Sequence, residues 1–225
     1  MVQVHDLGDD KGSLYIVMEY VAGTDLAHLL RTTVAKNVAL PVWFSLHVAV
    51  EMLGGLVCLH DATDERGRRL NAVHRDVSPA NVFVSFQGDV KLGDFGVAKS
   101  ELRDDQTRAG EVRGKIAYLS PEQIIGRNFD ARADLFSAAI VLWECLAQRR
   151  LFGGRPDYQS ILAITQGPRP PPSEYNEHVT PELDQLLAKA LSVDPNDRYQ
   201  SALELQRAVA EVQQHYGHVV VGTDV

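Results

Sequence analysis

A chain of 225 residues is long enough for one sizeable domain with its own core, or two small ones, and a hydrophobic content of 45% excludes disorder along most of its length. The formal net charge of −8 argues against a nucleic-acid partner, since gripping a phosphate backbone takes an excess of Lys and Arg. Residues 1–12 hold acids and no apolar stretch of signal-peptide length, and the richest apolar run, 135–147, is short and broken by Glu144, so the chain is expected to be cytoplasmic with no membrane span.

Residues 13–21, SLYIVMEYV, are β-branched and aromatic over a strand's length. They follow the turn chemistry of GDDKG and, with VQVHDL before it, predict a β-hairpin. A short helix is predicted over 25–31. Pro41 opens a long amphipathic helix to about residue 60, in which Trp43, Leu46, Val50, Leu53 and Val57 recur at helical spacing. A polar loop, 61–72, leads to VHRDVSPAN (73–81) and then to two short strands, 81–85 and 89–92, joined at Gln87-Gly88. Residues 96–115 carry many charges and little periodicity, which reads as an irregular exposed loop. Apolar helices follow at about 131–147 and 157–166. The crossing GPRPPPSEY, which fits either a link between helices or a polyproline ligand, precedes two more helices. One opens at Thr180-Pro181-Glu182 with Thr as N-cap, the other at Ser201 with Glu204 completing a capping box. Cys58 and Cys145 each fall inside an apolar helical pattern and are expected to be buried free thiols of a reducing compartment.

Three short signals occur in order: HRD with an Asn five residues after the Asp (74–81), DFG (94–96) and SPE (120–122). A strand pair lies between the first two and a long loop before the third. At these motifs the chain resembles the protein kinase family, most of all bacterial serine/threonine kinases of the eukaryotic type, over essentially its whole length. The resemblance implies transfer of the γ-phosphoryl group of ATP to hydroxyls of a protein substrate, with Mg²⁺ as cofactor. Such a transfer needs positioning and charge neutralisation more than covalent help. It gives Asp76 the task of accepting the substrate hydroxyl proton and aiming its oxygen. Asn81 and Asp94 are implied oxygen ligands for Mg²⁺, a hard ion. YIVMEYVAGTD (15–25) is similar to the family's strand and hinge behind the adenine, with Met18 as gatekeeper and Glu19 and Val21 presenting backbone groups to the adenine edge. Asp25 would hold the ribose hydroxyls and Phe83 would lie under the ring; plain core packing serves Met18 and Phe83 equally well. Glu122 and Arg198 resemble the family's buried ion pair. Asp134 resembles the carboxylate that caps the catalytic loop's backbone, a helix N-cap being the alternative. Arg75 is implied as receptor for a phosphate on the activation loop, where Thr107 is preferred over Ser100. The helix at 157–166 and the loop after it are candidate docking elements for substrate.

Two departures from the family pattern stand out. The lysine usual two residues after the catalytic Asp is Ser78 here, while the Thr usual before the Tyr of YLSPEQ is Lys115. The expectation is a compensating swap, in which Lys115 reaches Asp76 and the γ-phosphate from the activation segment and Ser78 supplies the hydroxyl. The second departure is at the beginning. No Gly-rich loop, strand lysine or helix glutamate precedes residue 14, and Lys11, in a turn, cannot stand in for the lysine. The expected fold is therefore α+β, mainly α: a kinase-like C-lobe (23–215), a residual upper-lobe β-hairpin and hinge (1–22), and a tail or linker from 216 to 225. The hairpin is expected to expose an unpaired edge and an apolar face. The chain by itself is expected to bind nucleotide poorly and transfer phosphate slowly or not at all. The competing reading is a non-catalytic, pseudokinase-like module that binds partner proteins; retention of Asp76, Asn81 and Asp94 together favours the enzyme.

Overall fold

The computed structural model describes residues 1–11, 13–93 and 115–216. Strands β1 (Val4–Asp10) and β2 (Ser13–Met18) pair antiparallel, Val4 opposite Met18 and Asp10 opposite Ser13. Pairing continues through Asp10, so the turn is shorter than GDDKG suggests. The hairpin's apolar side chains face solvent: Leu7 is 65% and Leu14 64% exposed, and Tyr15, Ile16, Val17 and Met18 are exposed as well.

A second sheet has the order β3-β4-β5, antiparallel throughout, from β3 (Gly23–Asp25), β4 (Val82–Ser85) and β5 (Val90–Leu92). The pair β4–β5 lies where the sequence predicts it. The strand β3 is additional, because three residues beside a glycine carry no alternation to read. Gly23 is required there by close approach: a Cβ would stand 1.9 Å from the carbonyl oxygen of Val84 on β4. The register sets Asp25 opposite Phe83, and Phe83 opposite Lys91.

Helix α1 (Leu26–Ala35) starts at its predicted place, with Asp25 Oδ1 accepting the His28 N–H at 2.7 Å, and runs a turn further than predicted. Its extra turn passes through Thr33, a weak helix former whose hydroxyl bonds back to the Leu30 carbonyl. The core is built around α2 (Val42–His60) and α4 (Arg132–Ala147). Every residue of α4 from Ala133 to Ala147 is buried, so the helix is apolar all round and central rather than amphipathic. Helix α2 packs on α4, on β5 and on α7 (Ala202–His215). It is also long and apolar enough to cross a membrane, with a mean hydropathy of 1.8, a property the sequence reading assigned to no segment; here more than half of it is buried as a core helix. Its thiol corrects another expectation. Cys58 is exposed, because the apolar character of α2 extends past its buried face, while Cys145 on α4 is buried and burial pushes its thiol far above the ordinary range.

Three shorter helices remain among the described residues: α3 (Pro121–Ile124), α5 (Asp157–Gln166) and α6 (Pro181–Ala190). The Pro-rich crossing between α5 and α6 is fastened to the core, with Trp143 Nε1 donating to the Pro170 carbonyl at 2.7 Å. Ser201 caps α7 by accepting the Glu204 N–H at 3.1 Å, while Glu204 Oε2 takes the N–H of Gln200. Thr180 occupies the N-cap position of α6 without a side-chain cap bond. Replacing Gly23 with Ala is expected to lower stability by about 1–3 kcal/mol in urea unfolding, since its Cβ meets a backbone oxygen that no rotamer change relieves. A change within about 0.5 kcal/mol would show that β3 does not lie against β4 as described.

Candidate active site

The loop carrying Asp76 is held from below by a carboxylate that is 1% exposed, Asp134 near the start of α4. Its Oδ2 accepts the backbone N–H of His74 at 2.7 Å and lies 2.9 Å from His60 Nε2; its Oδ1 accepts the N–H of Arg75 at 2.9 Å. Arg75 adopts φ of 67°, a left-handed conformation that costs a non-glycine residue about 1–2 kcal/mol. A charge-assisted bond to its own N–H helps hold it there. The ring of His74, buried, donates from Nε2 to the Gly93 carbonyl at 3.0 Å and accepts the Asp76 N–H at Nδ1 at 3.4 Å, so the neutral Nε2–H tautomer serves both. His74 thus ties the Asp76 loop to the residue that precedes Asp94. Asn81 Nδ2 donates to the Asp76 carbonyl at 2.6 Å.

From the far side comes Lys115. Its Nζ lies 2.6 Å from Asp76 Oδ2, with the lysine side chain 42% and the aspartate 14% exposed. Its position is set by the 3-10 turn Ile116–Tyr118 that follows it. The Tyr118 carbonyl accepts from Ser137 Oγ at 2.7 Å, and its hydroxyl donates to Glu144 Oε2 at 2.7 Å. Glu144 is fixed by the Leu151 N–H, and Arg150 bonds the Tyr118 hydroxyl as well. Burial raises the Glu144 carboxyl, and burial together with the neighbouring Glu144 charge raises the Tyr118 hydroxyl well above its usual value. Ser78 is buried at the head of the turn Pro79–Asn81, its carbonyl accepting the Asn81 N–H; its hydroxyl makes no hydrogen bond among the described residues.

On the sheet side, the register sets Asp25 beside Phe83, and a Cβ on Gly93 would meet the Phe83 ring at 2.7 Å. Asp25 spends one carboxylate oxygen on the α1 cap. Glu19 is paired with Lys91 at 2.5 Å and accepts the Gln3 N–H, and these two donors hold its carboxyl below the usual value. Val21 is half-buried between Glu19 and β3, and Met18, at the end of β2, is exposed. Asp94, Ser100 and Thr107 lie outside the described residues. The guanidinium of Arg75 stands 5.7 Å over the Phe129 ring and has no carboxylate partner among the described residues.

Beneath the site, Glu122 and Arg198 form a bidentate pair with both contacts at 2.8 Å. The remaining Arg198 donors reach the carbonyls of Ser192, Val193 and Arg132, so all five guanidinium N–H groups are used. Burial alone would raise Glu122, but the Arg198 hydrogen bonds and a backbone N–H outweigh it and hold the carboxyl below its ordinary value. Three contributors escaped the sequence reading: His60 under Asp134, the Lys91–Glu19 bridge, and the Tyr118–Glu144–Arg150 cluster. Tyr118 and Glu19 stand in stretches the sequence flags, but His60, Lys91, Glu144 and Arg150 lie in no motif, and a pattern of types could not have shown which loop each would reach.

A family model described as the protein kinase domain matches residues 1–215, and the chain belongs to that family. Among its relatives, a tyrosine-protein kinase of Myxococcus xanthus, MasK, is 41% identical over 90% of this chain and 31% of its own length. The serine/threonine-protein kinase PknL of Mycobacterium tuberculosis is 33% identical over 91% of this chain and 48% of its own. The crystal structure of the Mycobacterium tuberculosis PknI kinase domain matches the fold with a TM-score of 0.69 at 28% identity, over 94% of this chain and 71% of that one. The chain therefore spans less than half the length of the two curated relatives.

Replacing Glu122 with Gln leaves the Arg198 charge buried without its counter-ion and is expected to cost about 3–5 kcal/mol in denaturant unfolding. The folded-state value of Glu122 is depressed, so its contribution is present above the unfolded carboxyl value of 4.5 and is lost as pH falls through the lower folded value. The variant should accordingly lose less stability than the wild type on acidification, and equal losses would show that the pair carries no linked proton.

Proposed function

We propose that this chain is the phosphotransfer lobe of a cytoplasmic serine/threonine protein kinase in which the cation beside the catalytic base is supplied by Lys115. The observation that carries the reading is the 2.6 Å approach of Lys115 Nζ to Asp76 Oδ2, in a loop fastened by Asp134 and Asn81. Asp76 would orient the substrate hydroxyl and take its proton. Lys115 holds that carboxylate by one oxygen and offers a positive charge where negative charge develops on the transferred group. Ser78, two residues after Asp76 in the same loop, has the hydroxyl that the exchange of residue types calls for.

The donor set fits magnesium and nucleotide. The Asn81 amide nitrogen is committed to the Asp76 carbonyl, which leaves its Oδ1, a hard oxygen donor, without a partner among the described residues. Asp94 follows Gly93, whose carbonyl is fixed by His74. Asn81 and Asp94 would hold Mg²⁺, and Met18, Glu19, Val21, Asp25 and Phe83 would border the nucleoside. When bound, Mg·ATP supplies the phosphoryl group and the metal's charge. The exposed guanidinium of Arg75, which has no carboxylate partner among the described residues, suits a phosphate on Thr107. Pro79 in the catalytic loop and a relative such as PknL support hydroxyl acceptors on Ser and Thr, whereas MasK is named as a tyrosine kinase, so the test must read the acceptor.

Incubation with labelled Mg·ATP and a mixed protein substrate should give slow transfer to Ser and Thr in phosphoamino-acid analysis, abolished by Asp76→Asn. Lys115→Ala should lower kcat by about 10²–10³. The double replacement Ser78→Lys with Lys115→Thr, which restores the usual family pattern, should recover most of that loss. Recovery absent from the double variant would overturn the exchange of roles. Transfer no greater than that of Asp76→Asn would leave the partner-binding module as the reading, and phosphotyrosine as the main product would overturn the acceptor class.

A further inference from the structure

We propose that an arginine-lined cleft beside the catalytic loop selects protein substrates that carry Asp and Glu next to the acceptor hydroxyl. This inference rests on the kinase reading of Asp76 and adds to it a substrate class. The cleft, of roughly 720 Å³, lies between α1, the C-terminal end of α4 and α5, and one wall is Pro79, three residues beyond Asp76 in the same loop. Three residues of chain span at most about 10 Å, so a segment whose hydroxyl sits at Asp76 would have its neighbouring residues within reach of this cleft.

The lining is cationic in a chain whose net charge is −8. Arg31 comes from α1, Arg149 and Arg150 from the end of α4, and Arg155 from just before α5; all four are exposed. Glu144 is the single carboxylate in the lining, and it is already engaged by the Tyr118 hydroxyl and the Leu151 N–H, with Arg150 3.5 Å away. Arg31, Arg149 and Arg155 have no carboxylate partner among the described residues, and Arg149 lies 5.1 Å over the Tyr175 ring. Guanidinium forks match carboxylates in two-point contacts. An acidic chain that gathers cations in one concave place repels acidic partners elsewhere and attracts them there, so the charge pattern gives selectivity as well as attraction.

The cleft is also preformed. Gln148, at φ of 47°, ends α4 with its amide nitrogen on Thr33 Oγ1 and the Val38 carbonyl and its amide oxygen on the Leu40 N–H. This clamp locks the end of α4 to the end of α1, so the arginines on the two walls are set apart at a fixed width and little ordering is needed on binding.

The test is binding of fluorescent peptides, without nucleotide, to the full chain. One peptide has a central Ser flanked by Asp and Glu, a second has the flanks replaced by Lys, and a third by Gln and Ala. The acidic peptide should bind about tenfold more tightly than the neutral one at low salt, and the gap should close as ionic strength rises. Arg31→Ala, Arg149→Ala and Arg155→Ala combined should remove that preference while leaving thermal unfolding within about 1 °C of wild type, since the three side chains are on the surface. Equal binding of the three peptides, a preference for the basic one, or an acidic preference that survives the triple replacement would overturn the inference. So would heparin competing as well as the acidic peptide does, since that reads as attraction of any polyanion. Selective binding without phosphotransfer would leave the cleft standing and fail the enzyme; phosphotransfer indifferent to flanking charge would do the reverse.

Discussion

The site depends on one buried helix acting as a common ruler for two distant stretches of chain. Near its start, α4 presents Asp134, whose carboxylate accepts the backbone N–H groups of His74 and Arg75 and so fixes the loop that carries Asp76. One turn on, Ser137 takes the Tyr118 carbonyl, and further along Glu144 takes the Tyr118 hydroxyl, which seats the turn that follows Lys115. Lys115 and Asp76 are 39 residues apart in sequence, and they meet because both are measured off the same helix. A helix apolar on every side can serve in this way only if its few polar residues are all satisfied, since an unpaired carboxylate at such depth would cost several kcal/mol. Asp134, Ser137 and Glu144 are each bonded more than once.

The same economy governs the deeper pair. Arg198 could be a liability at complete burial, because desolvation of a guanidinium outweighs one salt bridge. Here five N–H groups meet two carboxylate oxygens and three carbonyls, and the ring of Phe136 lies 4.8 Å from the guanidinium carbon. The carbonyls belong to the segment before Arg198 and to the start of α4. The pair therefore fastens the helix that carries Asp134 to the SPE segment that follows Lys115, and the floor of the site and the Asp76 loop are not independent parts.

Much of this was legible before any coordinates, and the reason is local. HRD, DFG and SPE combine residue types whose chemistry is specific with a spacing that a turn or strand pair dictates, and the helices at 132–147 and 157–166 follow from apolar runs of helical length bounded by Pro and charged residues. Lys115 and Ser78 could be paired on paper because each departs from a pattern at a position where the other would compensate. What could not be read depends on which neighbour a side chain reaches. Cys58 sits in a run as apolar as that around Cys145, yet the tertiary packing leaves one outside and the other inside. His60 looks like any helix-terminal histidine until Asp134 arrives beneath it. The strand β3 exists only because β4 offers it an edge, and Gly23 permits the approach.

The exchange of Ser78 and Lys115 also changes what the charge at Asp76 depends on. A lysine two residues along the same loop would travel with the aspartate, and its cation would be present whenever the loop is formed. Lys115 arrives on a separate segment, so its ammonium is beside Asp76 only while the turn Ile116–Tyr118 is seated on Ser137 and Glu144. Glu144 also belongs to the arginine cleft, where its carboxylate lies between Tyr118 and Arg150. A ligand carboxylate that drew Arg150 toward itself would release some of its hold on the Tyr118 hydroxyl, and with it the turn behind Lys115. Arg150 of the cleft and the turn that places the Lys115 cation beside Asp76 are thus linked by a single buried tyrosine, a physical continuity that a lysine carried on the Asp76 loop would not provide.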